Sequence, residues 1–262
     1  MSSRTGKRAQ LRAERQAREA EAAAAKARKR RLYILGGGLL AAVAVVAIII
    51  AVGSGGSSSS GSKAAGGQQG AREVATELAG VPQSGTTLGQ PGAPVTITEY
   101  ADLQCPVCAD FNTTTFNQLL ANEVKSGKVK FVFRSLQTAT HDAGTFKTQQ
   151  VAALAAGKQN KLWNYVELFY RNQGAEGSGY VTPEFLNGLA KSIPALDYST
   201  WTKDRGNPAL EAQLGADAQA ASSLGFNSTP SFVVKGPKFP SQGVVGAASY
   251  EQFQKAIAAV QS

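Results

Sequence analysis

The chain has 262 residues, two cysteines, one histidine and a formal net charge of +9. The charge is concentrated: residues 1–31 hold 11 of the 27 Lys and Arg and 3 of the 18 Asp and Glu, which leaves 16 against 15 for the other 231. A domain that close to neutral argues against nucleic-acid binding, and one His with two Cys cannot fill a four-ligand zinc site within one chain.

Residues 9–31 of the basic tail are rich in Ala, Arg and Glu. They favour a solvated helix whose basic end meets anionic lipid headgroups. Leu32 to Val52 is a run of 21 residues without a charge. At about 1.5 Å per residue it spans about 30 Å, the thickness of a bilayer core. The alternative is a cleaved signal peptide, but an h-region runs to about 7–15 residues, and no small-x-small cleavage site follows a short apolar run here. The reading is a single transmembrane helix over 32–52, with the tail 1–31 cytoplasmic and everything after Val52 extracytoplasmic. Gly38 and Ala42 have a small-xxx-small spacing, a weak pointer to dimerisation. Gly53 to Gly70 is almost entirely Gly, Ser, Ala and Gln. It reads as a flexible tether that extends over 53–85, with a short helix over Ala71 to Ala79 and a reach of about 30 Å.

The folded domain is expected over 86–262. Val95 to Tyr100 is β-branched and aromatic and reads as a strand. Both cysteines follow at once, as Cys105-Pro106-Val107-Cys108, and Phe111, Phe116, Leu119, Leu120 and Val124 then give a mostly helical spacing that Gly127 closes. The predicted helix covers Pro106–Ser126, with Cys105 at its N-terminus and Cys108 one turn in. A helix N-terminus offers unpaired N–H groups and about half a positive charge, both of which favour a thiolate. A Cys-x-x-Cys at a strand-to-helix junction is the thioredoxin-like redox pattern. One exposed thiol of low pKa attacks, and a second, one turn away, closes the ring and releases the mixed disulfide. In that scheme Cys105 is the nucleophile and Cys108 the more buried, resolving thiol. The bland alternatives are a structural or metal-binding pair.

Val129 to Phe133 is the second strand, which makes a βαβ unit with parallel strands. A block of four or five helices follows over about 142–224. It includes Val151–Ala156, an apolar face on Leu162, Trp163, Val166, Phe169 and Tyr170, and two starts marked by an N-cap followed by Pro, Thr182-Pro183 and Asn207-Pro208. Ser231–Val234 and Gly243–Gly246 read as a β-hairpin. Ser249 with Gln252 forms a capping box for a last helix that buries Phe253, Ile257 and Val260. The fold class is α/β: a thioredoxin fold with an inserted helical block between its βαβ and ββα halves, preceded by a single transmembrane helix.

The segment from Glu99 to Cys108, the inserted helices, and Ser228-Thr229-Pro230-Ser231-Phe232 together resemble the DsbA-like thioredoxin family of thiol:disulfide oxidoreductases, over about residues 86–262. The resemblance implies disulfide exchange on secreted or cell-surface proteins, no cofactor, and a membrane redox partner that reoxidises the enzyme. It also implies a cis peptide at Thr229-Pro230 facing the cysteines, where the backbone of Thr229 pairs with an extended substrate. One departure stands out: strongly oxidising members often carry His between the cysteines, and this chain has Val107.

Glu99 precedes Cys105 by six residues and shares strand parity with Val95 and Ile97. That places its carboxylate under the active site, where burial raises its pKa and suits it to shuttle a proton to Cys108; the alternative is a strand-end Glu that reaches solvent. His141 reads as a surface or capping residue. Asn112-Thr113-Thr114 and Asn227-Ser228-Thr229 match glycosylation acceptors, but a glycan there would block the cysteines. The functional expectation is a membrane-tethered extracytoplasmic oxidase, since the compartment favours oxidation. A reductase or isomerase in the same place, a tethered copper chaperone and a scaffold with an inert disulfide are the competing readings.

Overall fold

The structure, a computed structural model, describes residues 68–238, 241–246 and 248–261. The expected cytoplasmic tail, membrane span and most of the tether lie outside these residues. Among the described residues no helix is long and apolar enough to cross a membrane.

Two strands with period-2 burial form the centre. β3 (Val95–Ala101) buries Val95, Ile97 and Glu99 on one face, and β4 (Val129–Ser135) buries Val129, Phe131, Phe133 and Ser135. They run parallel, with Ile97 opposite Phe131 and Glu99 opposite Phe133. β5 (Ser231–Lys235) lies antiparallel on the other side of β3, with Glu99 opposite Phe232, and pairs in turn with β6 (Gln242–Val245). The expected βαβ and hairpin are therefore both present. Beyond β4 the sheet continues through two short strands, β1 (Gln83–Ser84) and β2 (Thr87–Leu88), so the strand order is β1-β2-β4-β3-β5-β6.

The β1–β2 hairpin and helix α1 (Ala71–Glu77) extend the folded unit ahead of the expected start at residue 86. Val74 and Leu78 are buried in the core. The Gln83 side chain is held by the Asn164 carboxamide at 2.8 Å and by the Trp163 N–H at 3.2 Å. Two-residue strands carry too little pattern to be read from sequence, and only the pairing of β1 with β2 and of β2 with β4 reveals them.

The expected single helix over 106–126 is broken. α2 (Pro106–Thr113) ends at Thr114, whose φ of −123° and ψ of −81° are not helical. α3 (Thr115–Leu119) then passes into a π turn over Leu120–Val124. The break falls in Asn-Thr-Thr-Thr, where the Thr113 and Thr114 hydroxyls donate to the carbonyls of Ala109 and Asp110 at 2.8 and 2.6 Å. Side chains of this kind compete with the helical backbone for its own acceptors.

The inserted block holds five helices: α4 (Ala143–Gly157), α5 (Leu162–Arg171), α6 (Pro183–Ser192), α7 (Tyr198–Asp204) and α8 (Pro208–Ser223). α4 starts at Ala143, where the block was expected to begin, and Asp142, not His141, caps it, accepting from the Thr145 N–H at 2.7 Å. Thr182 and Asn207 cap α6 and α8 as expected. α7, too short to show a period, is anchored by Trp201, which is fully buried and donates its indole N–H to the Ala152 carbonyl at 2.8 Å. Trp163 of α5 joins the block to the sheet. It stacks on Phe116 at 5.2 Å, meets Phe131 edge-on at 5.8 Å, and donates its indole N–H to the Thr86 carbonyl. The last helix, α9 (Tyr250–Gln261), buries Phe253, Ala256, Ile257 and Val260, and its capping box is formed by Ser249 and Gln252.

Candidate active site

β3 ends at Ala101, and four residues later the chain turns into α2. Cys105 is the N-cap of that helix, in extended conformation (φ −71°, ψ 119°), with Pro106 at the first helical position. Both cysteines are free thiols. Cys108, one turn in, is fully buried, while Val107 between them is 42 % exposed. Cys105 is less open than the sequence suggested, at 5 % exposure. The segment before β5 covers it: the Cys105 S–H donates to the Thr229 carbonyl at 3.4 Å, and the Thr229–Pro230 peptide is cis. The Cys-x-x-Cys and Thr229-Pro230, separated by more than 120 residues in the chain, therefore meet through one hydrogen bond.

The two thiols differ sharply. The Cys105 pKa is brought down to about 6. The hydrogen bond from the Cys108 thiol is the largest cause, burial opposes it, and the Thr229 side chain and the N–H groups of Cys108 and Val107 add to the lowering. Cys108 moves the other way, well above an ordinary thiol. Burial is the main cause, followed by its hydrogen bond to Cys105 and by the nearby charges of Cys105 and Glu99. One sulfur is set up to be a thiolate and the other to hold its proton, as the helix-end placement predicts.

Glu99 lies beneath the pair and has no exposed surface. Burial pushes its pKa up to about 8, against an opposing hydrogen bond from Asn112. The Asn112 amide donates to Glu99 Oε1 at 3.0 Å and to the Cys108 carbonyl at 2.9 Å, so one side chain ties the acid to the helix of the buried thiol. Asn112 is itself fully buried, which leaves no room for the glycan its sequence motif would accept.

Asp102 escaped the sequence reading. Its fully buried carboxylate accepts from the N–H groups of Gln104, Thr138 and Thr140 at 2.8–3.0 Å, from the Thr140 hydroxyl at 2.5 Å and from the Gln149 amide at 3.2 Å. The Thr138 hydroxyl in turn meets the Thr229 hydroxyl at 2.5 Å. Asp102 thereby fixes three segments around Cys105: its own turn, the 138–140 loop and, through Thr138, the segment carrying Thr229. Apart from Gln104, its partners lie 36–47 residues away in the chain, and no local signal pointed to them. Gln173 adds a further hold, donating to the carbonyls of Leu103 and Cys105 at 2.8 and 3.2 Å. His141 takes no part; its side chain is 81 % exposed and sits 3.5 Å from Glu176. Among the described residues no cluster of three or more His, Cys, Asp or Glu is arranged to hold a metal ion.

A family model described as thioredoxin matches residues 83–259 of the chain. The chain belongs to the thioredoxin family. Within it, Disulfide bond formation protein D of Bacillus subtilis is 26 % identical over 175 residues, which are 65 % of this chain and 74 % of that protein. The crystal structure of oxidised BdbD from Bacillus subtilis matches with a TM-score of 0.58 at 23 % identity, covering 68 % of this chain and 96 % of that one. DsbA2 of Pseudomonas aeruginosa matches with a TM-score of 0.52, also at 23 % identity, covering 68 % and 94 %. At these identities the structural likenesses carry the fold, a thioredoxin-like α/β sheet with an inserted helical block. With the family match and the disulfide-forming relative, this thioredoxin-family chain is a DsbA-like thiol:disulfide oxidoreductase.

Proposed function

We propose that the chain is a membrane-tethered, extracytoplasmic oxidase that introduces disulfides into secreted or cell-surface proteins through Cys105 and Cys108. The observation that carries this reading is the opposite displacement of the two thiols across one helix N-terminus. A stabilised Cys105 thiolate lowers the free energy of the reduced enzyme, and an enzyme that prefers to be reduced is an oxidant. A substrate thiolate attacks Cys105 Sγ of the oxidised enzyme, and Cys108 leaves and takes up a proton. A second substrate thiolate then attacks the substrate sulfur and releases Cys105.

Glu99 is the acid that supplies the Cys108 proton, since it is the buried carboxyl joined to the Cys108 helix through Asn112. An extended substrate segment lies against Thr229 and Pro230, within reach of Cys105. A membrane partner restores the disulfide. The outward location rests on the charge asymmetry around residues 32–52 and on the need of a disulfide-forming enzyme for an oxidising compartment. The reductase or isomerase reading draws on Val107, which places no positive charge beside the Cys105 thiolate.

The deciding experiment is the equilibrium of the Cys105–Cys108 couple against glutathione. A potential near about −120 mV supports the oxidase, and one near about −270 mV a reductase.

A further inference from the structure

Buried polar atoms without a partner in the protein are rare, and each asks for a reason. Here five fall on neighbouring groups: Glu99 Oε2, Asn112 Oδ1, Glu167 Oε1 and Oε2, and Arg171 Nε. Glu167 is the unexpected member. It sits on α5, which packs against the Cys-x-x-Cys helix α2, and is 1 % exposed with neither carboxyl oxygen hydrogen-bonded. An apolar residue would fill that position at much lower cost, because an unpaired buried carboxyl is expensive even when neutral.

The charged groups that bear on Glu167 come from three elements. Arg171 lies one turn on along α5, Glu99 comes from β3 and Glu77 from α1. Burial is the main effect and raises the Glu167 pKa well above the usual range; Arg171 opposes this, and Glu99 and Glu77 add to it. Arg171 and Glu77 form an ion pair, and their side chains are 20 % and 36 % exposed. Cys108, Glu99 and Glu167 are thus all buried, and Glu167 feels both Glu99 and an ion pair that reaches solvent.

We propose that Glu167 is the second station of a proton route that serves Cys108, between Glu99 and the Arg171–Glu77 ion pair. The proposal rests on the reading that Glu99 exchanges a proton with Cys108. Glu99 adds to the raising of the Glu167 pKa, and two buried carboxyls that oppose each other's charge do not both ionise, so at most one of them carries a negative charge at a time and that charge can move between them. When the Cys105–Cys108 disulfide forms by resolution of a mixed disulfide, the Cys108 S–H proton passes to the Glu99 carboxylate. The Cys108 sulfur then bonds to Cys105 Sγ, the Cys105–substrate bond breaks, and the substrate sulfur leaves with the electron pair. Glu167 releases its own proton towards solvent and takes the one now on Glu99, which resets Glu99 as a base. Opening of the ring runs the same transfers in reverse. The oxidation and reduction are those of the disulfide exchange alone.

The test uses the full chain and single-turnover kinetics of the Cys108 step between pH 6 and 9, in wild type, E99Q, E167Q and E167D. Expected for E167Q is a roughly 10-fold slower step, smaller than the 10²-fold effect typical of a group that exchanges the proton directly. The Cys105–Cys108 potential and the alkylation profile of Cys105 stay unchanged, and E167D recovers part of the rate. A wild-type rate in E167Q across the whole range overturns the proposal. If E99Q is also unaffected, the Glu99 reading fails with it; if E99Q is slow and E167Q is not, only the Glu167 station fails. A second measurement needs no change at Glu167. The reduced-minus-oxidised infrared spectrum of wild type should show two protonated-carboxyl bands, of which E99Q keeps one. A single band that vanishes in E99Q overturns the proposal.

Discussion

Glu99→Gln separates the burial of this acid from its chemistry, because the amide keeps the shape and removes the titration. In the folded protein burial holds the Glu99 pKa at about 8, against 4.5 for an ordinary Glu. The native state therefore keeps a proton that the unfolded chain gives up, and stability falls as pH rises between those two values. From pH 5 to pH 7 the unfolded carboxyl goes from mostly to almost fully ionised while the native one stays neutral. The ratio of the two binding terms changes by a little under two powers of ten, a loss of about 2.5 kcal/mol at about 1.4 kcal/mol per tenfold. Glu99→Gln lacks this loss. Its stability relative to wild type should therefore improve by about 2.5 kcal/mol between pH 5 and pH 7. Taking the difference cancels the titrating groups that Glu99 does not touch. The assay is denaturant unfolding of the reduced proteins at both pH values. At neutral pH the same variant should slow the Cys108 step by about 10²-fold. A difference in stability that does not change with pH would show that Glu99 is ionised in the folded protein, and the proton-donor role would go with it.

Other expectations follow from the same geometry. Cys105→Ser should abolish exchange, whereas Cys108→Ser should accumulate mixed disulfides through Cys105, read as covalent adducts on non-reducing gels; adducts through Cys108 would reverse the roles. Alkylation of Cys105 in the reduced protein should titrate with a midpoint near 6, and faster labelling of Cys108 would contradict the arrangement of the thiols. Asp102→Ala leaves the buried N–H groups of Gln104 and Thr140 and the part-buried N–H of Thr138 without their acceptor, and should cost about 3 kcal/mol in unfolding free energy. Protease added to intact, wall-stripped cells should release a fragment that begins between residues 53 and 70; protection of the domain would overturn the proposed topology.

What the sequence showed was carried by local grammar. The strand before Cys105, the Pro at the head of α2, the N-caps Thr182 and Asn207 and the Ser249–Gln252 box each lie within a few residues of what they specify, and each is found where expected. Glu99 was legible because strand parity is a period of two. What stayed hidden is non-local. The donors to Asp102 from Thr138, Thr140 and Gln149 and the hydrogen bond between Thr138 and Thr229 join residues that only the folded sheet brings together. Glu167 was hidden for a different reason. It sits among Leu162, Trp163, Val166, Phe169 and Tyr170 and breaks no pattern, because α5 is buried all round and has no solvent face on which a Glu would be ordinary. The helix break at Thr114 was missed because apolar spacing continues across it, while the Thr hydroxyls act on the backbone.

The strength of the Cys105 thiolate bounds how much of an oxidising potential this site can supply by itself. At pH 7 a thiol with a pKa of about 6 is about nine-tenths ionised, whereas an ordinary one is about three-hundredths ionised. The reduced form gains roughly a factor of ten, or about 30 mV for a two-electron couple. The interval between a reductase and a strong oxidase is about 150 mV, so the helix end and the hydrogen bonds to Cys105 account for about a fifth of it at neutral pH. The rest has to come from terms that act on the disulfide form, such as the covering Thr229 segment and the buried acid beneath Cys108. The thiolate contribution has its own signature. Below the Cys105 pKa both thiols take up a proton on reduction, and the potential falls by about 59 mV per pH unit; above it only Cys108 does, and the fall is about 30 mV per unit. Potentials measured from pH 5 to pH 8 should therefore show a break near pH 6. A constant slope of about 59 mV to pH 8 would mean that Cys105 stays protonated, and the preference for the reduced state would need another source.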